Sequence, residues 1–332
     1  MNNGIIDTHK GKDFVFYNGD VMNVITTLPT ASMDLSVFSP PFIGLYQYSS
    51  SPNDFSNCET REQGLAQYKI LVKELARVIK PGRMCCVHCT DLMNKDGSQY
   101  DYPHEIEEIH KRNGFKRMNK ITIWKEPLKV RMRTMVKSLM HKLIVEDSTQ
   151  CFTAMPDYVL VFKRNGENEV PVTHELGLTE YMGETPLLPA LKKTYGSWDR
   201  LVKKYKDWKD PKSNKRSHII WQRYASSVWD DIRIDNVLPF REARDSEDEK
   251  HIHPLQLDVY GRLIELYSNP GEVFFEPFCG VGSGLFQSLR MGRKGIGVEL
   301  KPSYWRQGVE NMKHVNEGFF LQPDIFEQTG DI

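Results

Sequence analysis

Residues 273–289 read VFFEPFCGVGSGLFQSL: an apolar run from Val273 to Phe275 enters a turn holding Gly280, Gly282 and Gly284, then continues as an apolar helical pattern. Glycines in a strand-to-helix turn permit a tight backbone and the close approach of a ligand. Further on, GIGVE at 295–299 reads as a second strand, and Glu299 ends it about 20 residues beyond the turn, where a ribose-binding acid belongs. The spacing is GxGxG rather than GxGxxG, which favours a nucleoside over a nicotinamide dinucleotide. A glycine turn alone is equally a structural connection; Glu299 in register favours the ligand. Glu276 has two readings, contact with the positive end of a ligand or a first-turn acid stabilised by the helix dipole.

Outward from this turn, strand and helix patterns alternate. DFVFYNGD (13–20) is β-like, VMNVITTLP (21–29) short and helical, and MDLSVF (33–38) apolar and β-branched. From Glu62 to Lys80, Leu65, Tyr68, Leu71, Leu75 and Val78 recur at helical spacing, and KPG is expected to stop that helix before a strand at 84–89. Pro103 suits the first turn of a helix ending at Gly114, followed by strands NKITIWKEP and DYVLVFKR. The pattern then breaks between 166 and about 217 and resumes as helix from Pro254 and strand from Glu272. This implies a doubly wound, mostly parallel α/β sheet carrying one insert, divided as 1–165, 166–216 and 217–332.

The chain of 332 residues suits one main core with an appendage. Lys plus Arg and Asp plus Glu both total 44, so a net charge of zero excludes a histone-like or strongly acidic protein. No apolar run reaches the ~18 residues of a membrane span, the N-terminus lacks a signal-peptide core, and six cysteines read as reduced thiols, so a cytoplasmic chain is expected. His88 beside Cys85, Cys86 and Cys89 lacks the second ligand pair that a zinc site needs, which favours a buried strand of small thiols and no metal.

SVFSPPFIG (36–44) ends a strand on two prolines. Ser39 therefore lies at the carboxyl end of a strand, where open α/β sheets place their chemistry. Pro40 and Pro41 fix φ and withdraw two N–H donors, leaving a stiff, acceptor-only loop whose natural guest is an amino group. Phe42 offers a face on which a planar base can stack.

SPPF together with FFEPFCGVGSG resembles the amino-methylating DNA methyltransferases acting on cytosine N4 or adenine N6, with a catalytic (Asp/Asn/Ser)-Pro-Pro-aromatic motif and a DPFxGxG-like turn for S-adenosylmethionine. The catalytic motif comes first, the permuted order of the β class, and MPDYVLVFKR and WQRYASSVWDDI are similar to stretches of phage and mobile-element members. The resemblance implies a Rossmann-like fold and a cofactor site of Asp20 in NGD, His253 and Gln256 in HPLQ, Glu276, Phe278, Gly280, Gly282, Gly284 and Glu299. Glu276 stands where Asp is usual, Cys279 for a common Ala, and Leu285 for a frequent Thr.

An exocyclic amine is a poor nucleophile because its lone pair is delocalised into the ring. Acceptors at Ser39 Oγ and the Pro40 carbonyl would bind its two N–H groups and stabilise the charge that develops. A base inside a duplex must be flipped out, so Phe42 and Trp124 are expected to stack on it. C5 methylation needs a cysteine nucleophile in a Pro-Cys setting, and the chain has no Pro-Cys. Family usage of Ser favours cytosine N4, with adenine N6 the near alternative and an RNA or protein amide substrate, or a silent DNA binder, further off.

Residues 191–225 hold eleven Lys/Arg against three Asp, interleaved with Trp and Tyr. A solvated helix face is the ordinary source of such a run. Its place in the insert, where the β class carries target recognition, favours double-stranded DNA, with Lys203, Lys204, Lys215 and Arg216 at phosphates. A second basic stretch at 125–142 adds Lys125, Arg131 and Arg133 near the flipped base. A homodimer and a cognate restriction endonuclease are partners implied by resemblance alone.

Overall fold

The computed structural model describes residues 4–42, 55–94, 96–134, 136–243 and 254–316, with only the backbone for Ser56, Arg133 and Thr134. The first half runs β1 (Ile5–Lys10), β2 (Phe14–Gly19), α1 (Val21–Ile25), β3 (Met33–Phe38), α2 (Arg61–Val78), β4 (Ile79–Cys89), β5 (Leu92–Met93), β6 (Gln99–Tyr100), α3 (Tyr102–Arg112) and β7 (Phe115–Ile123). It continues through α4 (Pro127–Thr134), α5 (Lys142–Glu146), β8 (Asp157–Arg164), α6 (Pro189–Tyr195), α7 (Trp198–Tyr205), α8 (Lys215–Tyr224) and β9 (Val228–Trp229). The last part is α9 (Leu257–Tyr267), β10 (Val273–Glu276), α10 (Ser283–Arg290), β11 (Lys294–Glu299) and α11 (Pro302–Met312).

Nine strands form one sheet in the order β1-β2-β11-β10-β3-β4-β8-β7-β9. Its centre, β2-β11-β10-β3-β4, is parallel, as expected. β8 runs antiparallel to both neighbours, so the sheet is mixed. A strand's periodicity is the same in either direction, and only the path of 124–156 reverses this one. β1 has no counterpart in the sequence expectations: it is a polar edge strand, antiparallel to β2, whose pattern buries no full face.

α2 begins where Thr60 Oγ1 accepts the Gln63 N–H at 3.3 Å and buries Tyr68, Leu71, Val72, Leu75 and Val78 along one stripe. It stops at Val78, but Lys-Pro-Gly does not separate helix from strand. β4 already starts at Ile79, and a register irregularity opposite Met33–Leu35 absorbs the motif, with Gly82 at φ +73°. Side chains of α2 and α3 meet Cys85, Val87, Leu160 and Phe162 on one face of the sheet. On the other, α9 packs Val259, Leu263 and Ile264 against Val37, Cys86 and Val161. α10 and α11 continue that second layer over Phe16. Helices on both faces make the sheet doubly wound.

The insert has a small core of its own, Leu187, Leu201, Tyr205 and Ile219. The expected boundary at 216 falls inside α8, whose Ile220 and Tyr224 pack with Leu178 and reach Leu266 of α9. The anchor is Arg262, fully buried on α9. Its Nη2 lies 2.8 Å from Asp231 Oδ2, its Nε donates to the Met182 carbonyl at 2.6 Å, and its guanidinium sits 4.9 Å from the rings of Tyr224 and Trp229. Arg223 shares Asp231 at 2.9 Å. Arg262→Met keeps the volume and removes the charge, leaving Asp231 half-compensated in the interior. Unfolding in urea is expected to show a loss of about 3 kcal/mol, and a loss below about 0.5 kcal/mol would mean the cage is incidental to stability.

Candidate active site

The strand order places the two sequence motifs side by side. β3 lies between β10 and β4, so Ser39, one residue past β3, shares an edge with the glycine turn on one side and the end of β4 on the other. The β3–β4 register pairs Phe38 with Val87, so its continuation sets Ser39 beside His88. Ser39 Oγ lies 3.3 Å from His88 Nδ1. His88 Nε2 in turn lies 3.3 Å from Asp157 Oδ2, and Lys125 Nζ lies 2.5 Å from Asp157 Oδ1. Burial alone would raise the Asp157 carboxyl, but Lys125 and His88 outweigh it and hold the group well below the usual carboxylate range.

Pro40 is buried, and the Pro41 carbonyl accepts the Tyr102 hydroxyl at 3.2 Å. Phe42 meets the Tyr102 ring edge-on at 6.4 Å and is partly buried against the core. The loop is thus braced from α3, with Ser39 at its partly exposed start.

At the glycine turn the Gly280 N–H donates to Glu299 Oε2 at 2.7 Å, and the Lys301 N–H to Oε1 at 2.8 Å. Gly280 has φ +53°, and a Cβ there would meet nothing within 4 Å, so the backbone faces open space beside Glu299. Gly282 caps α10 at φ +90°, where an added Cβ would strike Met312 Cε at 2.7 Å. A Cβ on Gly284 would come within 2.7 Å of the Glu276 carboxylate and within 2.5 Å of the Tyr260 ring. Phe278 packs 5.8 Å from both Phe38 and Phe55. Asp20 caps α1, accepting the Met22 N–H at 2.8 Å, just past β2 and so beside the Glu299 end of β11. Burial raises its carboxyl against that bond. Gln256 sits at the start of α9; His253 lies outside the described residues.

Glu276 lies beneath the glycine turn. It is fully buried; the Tyr260 hydroxyl donates to Oε1, and the Leu285 N–H and Cys279 thiol donate to Oε2 at 2.9 and 3.1 Å. Its carboxylate braces the turn from beneath, at the N-terminus of α10, in keeping with the dipole reading.

The basic residues divide. Lys203 and Lys204 are exposed on the last turn of α7 and Lys215 on the first turn of α8. Arg216 is buried, with an Nε that has no partner among the described residues. Trp124 is about half exposed at the end of β7, while Lys125 points inward to Asp157. Arg131 is half-buried on α4, and the Arg133 side chain lies outside the described residues. Cys85, Cys86 and Cys89 are buried free thiols, all raised by burial. His88 is buried in that strand as expected and also meets Ser39. Its position in MCCVHC, two residues after Cys86 on one face, was visible; its neighbours across β3 and β8 were not.

A glycine turn and an acid-ended strand beside a Ser-Pro-Pro-Phe loop make up the candidate site, on the Rossmann-like sheet of a methyltransferase fold. The chain belongs to the N6/N4 DNA methylase family, whose model matches residues 33–310. It is 22% identical over 291 residues to the type II methyltransferase M.BglII of Bacillus subtilis, covering 87% of this chain and 66% of that protein, and thus spans about two thirds of that relative's length. It is also 22% identical to the type II methyltransferase M.MthZI of Methanothermobacter thermautotrophicus, over 93% of this chain and 78% of the relative. The fold matches a putative DNA modification methylase from Thermus thermophilus, solved as a complex with S-adenosyl-L-methionine, with TM-score 0.56, 20% identity and coverage of 92% and 97%. It matches the cytosine-N4-specific PvuII DNA methyltransferase with TM-score 0.56, 14% identity and coverage of 96% and 90%.

Burial pushes the Glu276 carboxyl up to about 7, against the donors that favour its anion. Its folded value thus lies above the ~4.3 of an unfolded glutamate. Between about pH 4.5 and 7 the folded chain keeps a proton that the unfolded chain loses, so stability falls as pH rises through that window. Glu276→Gln cannot titrate. Its unfolding free energy is expected to fall less across the window, by on the order of 3 kcal/mol; parallel curves for the two proteins would show that the carboxyl ionises as easily folded as unfolded.

Proposed function

We propose that this chain is a site-specific DNA methyltransferase that moves a methyl group to the exocyclic amine of a flipped base, with cytosine N4 the favoured acceptor. The observation that carries it is the adjacency of Ser39 and the Gly280–Glu299 turn on neighbouring strands of one edge. When bound, S-adenosylmethionine supplies an electrophilic methyl on a sulfonium sulfur. Gly280 offers open backbone, Glu299 is placed for a ribose, and Asp20, Phe278 and Gln256 line the flanks. The chain's part is then to bind and orient. Ser39 Oγ and the Pro40 carbonyl accept the N–H groups of the target amine, which favours a pyramidal nitrogen, and Phe42 stacks on the ring.

Ser at position 39 supports cytosine N4; adenine N6 is the alternative, since either amine offers two N–H donors. The insert of 166–216 with the rest of α8 serves as the recognition region, with Lys203, Lys204 and Lys215 at phosphates. The family resemblance adds a second copy and a cognate restriction endonuclease as partners, and the cytoplasm of a bacterial or phage-infected cell as the place of action.

The test is mass spectrometry of nucleosides from unmethylated duplex DNA incubated with the protein and methyl-labelled cofactor. Labelled N4-methylcytosine is expected. N6-methyladenine would keep the enzyme and change the base, whereas label in RNA or protein but not in DNA would overturn the substrate. In the same assay Phe42→Ala is expected to lower kcat by roughly 5- to 100-fold, the value of one base–aromatic stack, while cofactor affinity stays within about twofold. Equal losses in both would remove the stacking role.

A further inference from the structure

The row Ser39, His88, Asp157 and Lys125 is built from four segments, the ends of β3 and β4, the start of β8 and the residues just after β7. Three of the four side chains are largely withdrawn from solvent: His88 at 10%, Asp157 at 14% and Lys125 at 17% exposure. Sheet packing alone does not require a lysine, an acid and an imidazole here, since hydrophobic replacements of a buried charged set are commonly neutral or stabilising.

The contacts assign the protons. Asp157 is paired with Lys125 through Oδ1 and turns Oδ2 toward His88 Nε2, which has no hydrogen-bond partner among the described residues. At 3.3 Å the approach is slightly long for a hydrogen bond and close enough for a small ring rotation to complete one. A carboxylate accepts only, so Nε2 is the nitrogen that carries hydrogen. With Lys125 already on the carboxylate, the tautomer that complements both neighbours is the one with hydrogen on Nε2 and a bare Nδ1. Nδ1 is then an acceptor, and the only hydrogen between it and Ser39 Oγ belongs to the hydroxyl. The remaining ionisable groups nearby on this side engage one another: Tyr158 donates to Asp91 at 3.3 Å, Lys120 lies 4.0 Å from the Tyr158 ring, and Cys89 is a buried neutral thiol.

We infer that His88, oriented by Asp157 and Lys125, is a positioning residue that draws the Ser39 hydroxyl hydrogen onto Nδ1 and so turns the Oγ lone pairs toward the target amine. A free serine hydroxyl can donate or accept, and as a donor it would oppose an incoming N–H. With the hydrogen held by His88 it can only accept there. A carboxylate in the same place would need no such partner, being acceptor-only when ionised. The arrangement shares the logic of a Ser-His-Asp triad, in which the acid selects the imidazole tautomer, but the hydroxyl here is an acceptor of amine hydrogens and forms no covalent bond.

This inference rests on the proposed role of Ser39, and two measurements separate the two. The first uses the protein alone: ¹⁵N spectra of histidine-labelled chain near pH 8, with His88 assigned from the loss of its signals in His88→Asn. Hydrogen on Nε2 with a bare Nδ1 is expected, with that preference weakened in Asp157→Asn. Hydrogen on Nδ1 overturns the inference whatever the activity. The second is kinetic. His88→Ala is expected to lower kcat by about 10- to 100-fold, the scale of a misplaced catalytic group, with KM for DNA and cofactor within about twofold. His88→Asn, whose Oδ1 can stand near the place of Nδ1, is expected to recover most of the loss, and His88→Gln, whose amide reaches too far, is not. Unchanged kcat in His88→Ala, or equal behaviour of the Asn and Gln variants, overturns the positioning role. If Ser39→Ala turns over like the native chain, the role of Ser39 fails instead, and the tautomer result stands separately.

Discussion

The pairing of β3 with β10 is the constraint on which the site depends. These strands come from opposite ends of the chain, yet Leu35 and Ser36 pair with Phe274 and Phe275 in parallel register. Ser36 Oγ donates to the Phe275 carbonyl at 2.9 Å in a fully buried position. At the other end of the same pair, Asp34 accepts the Val273 N–H at 2.9 Å and holds Lys80 at 2.6 Å, while Arg83 bonds Glu272 and the Asp34 carbonyl. A slip of this register by one residue would reverse every side chain of β3 between faces and move Ser39 away from the glycine turn. The polar contacts at both ends fix a register that apolar side chains on a two-sided buried strand would leave degenerate.

That dependence explains which features were legible in the sequence. The glycine turn, the Ser-Pro-Pro-Phe loop and α2 are local: each follows from φ restrictions or helical spacing within a few residues, and each sits where it was expected. The direction of β8 and the existence of β1 depend on neighbours far along the chain, and alternation of apolar residues carries no direction. Side-chain orientation was the least legible. Glu276 and Lys125 turn toward partners that only the folded sheet supplies, and Arg216 is buried on α8. His88 is buried on β4 as its cysteine neighbours suggest, and what the sequence did not disclose is that the end of that strand brings it to Ser39.

Glu276 and Glu299 show how one turn sets two identical side chains to opposite tasks. Both lie at the carboxyl ends of adjacent parallel strands. Glu276 points beneath the turn, where Gly284 leaves room for its carboxylate, and three donors offset part of its cost of burial. Glu299 points along the edge, where it holds the Gly280 N–H and so ties the first glycine to the next strand. Substituting Asp for Glu276 would shorten the reach by one methylene and pull the carboxylate from Tyr260 or from the α10 N-terminus. The longer acid therefore goes with Tyr260 and Cys279 as a set, and the departure from the usual Asp in this family is explained by what stands beneath the turn.

The insert obeys the same economy of rigid placement. Its helices carry exposed lysines on a core of only a few apolar residues, too small to hold an independent fold. Arg262 supplies what that core lacks, because a guanidinium can satisfy Asp231 and the Met182 carbonyl while presenting flat faces to Tyr181, Tyr224 and Trp229. Trp229 belongs to β9, whose pairing with β7 brings its backbone carbonyl to the N–H of Trp124 at 3.0 Å. A continuous path of packed and hydrogen-bonded groups therefore runs from the lysine-bearing helices through Arg262 and β9 to the end of β7, one residue from Lys125, which pairs with Asp157. Surface charge on the insert is thereby held at a set distance from Ser39, which a tethered basic segment could not provide.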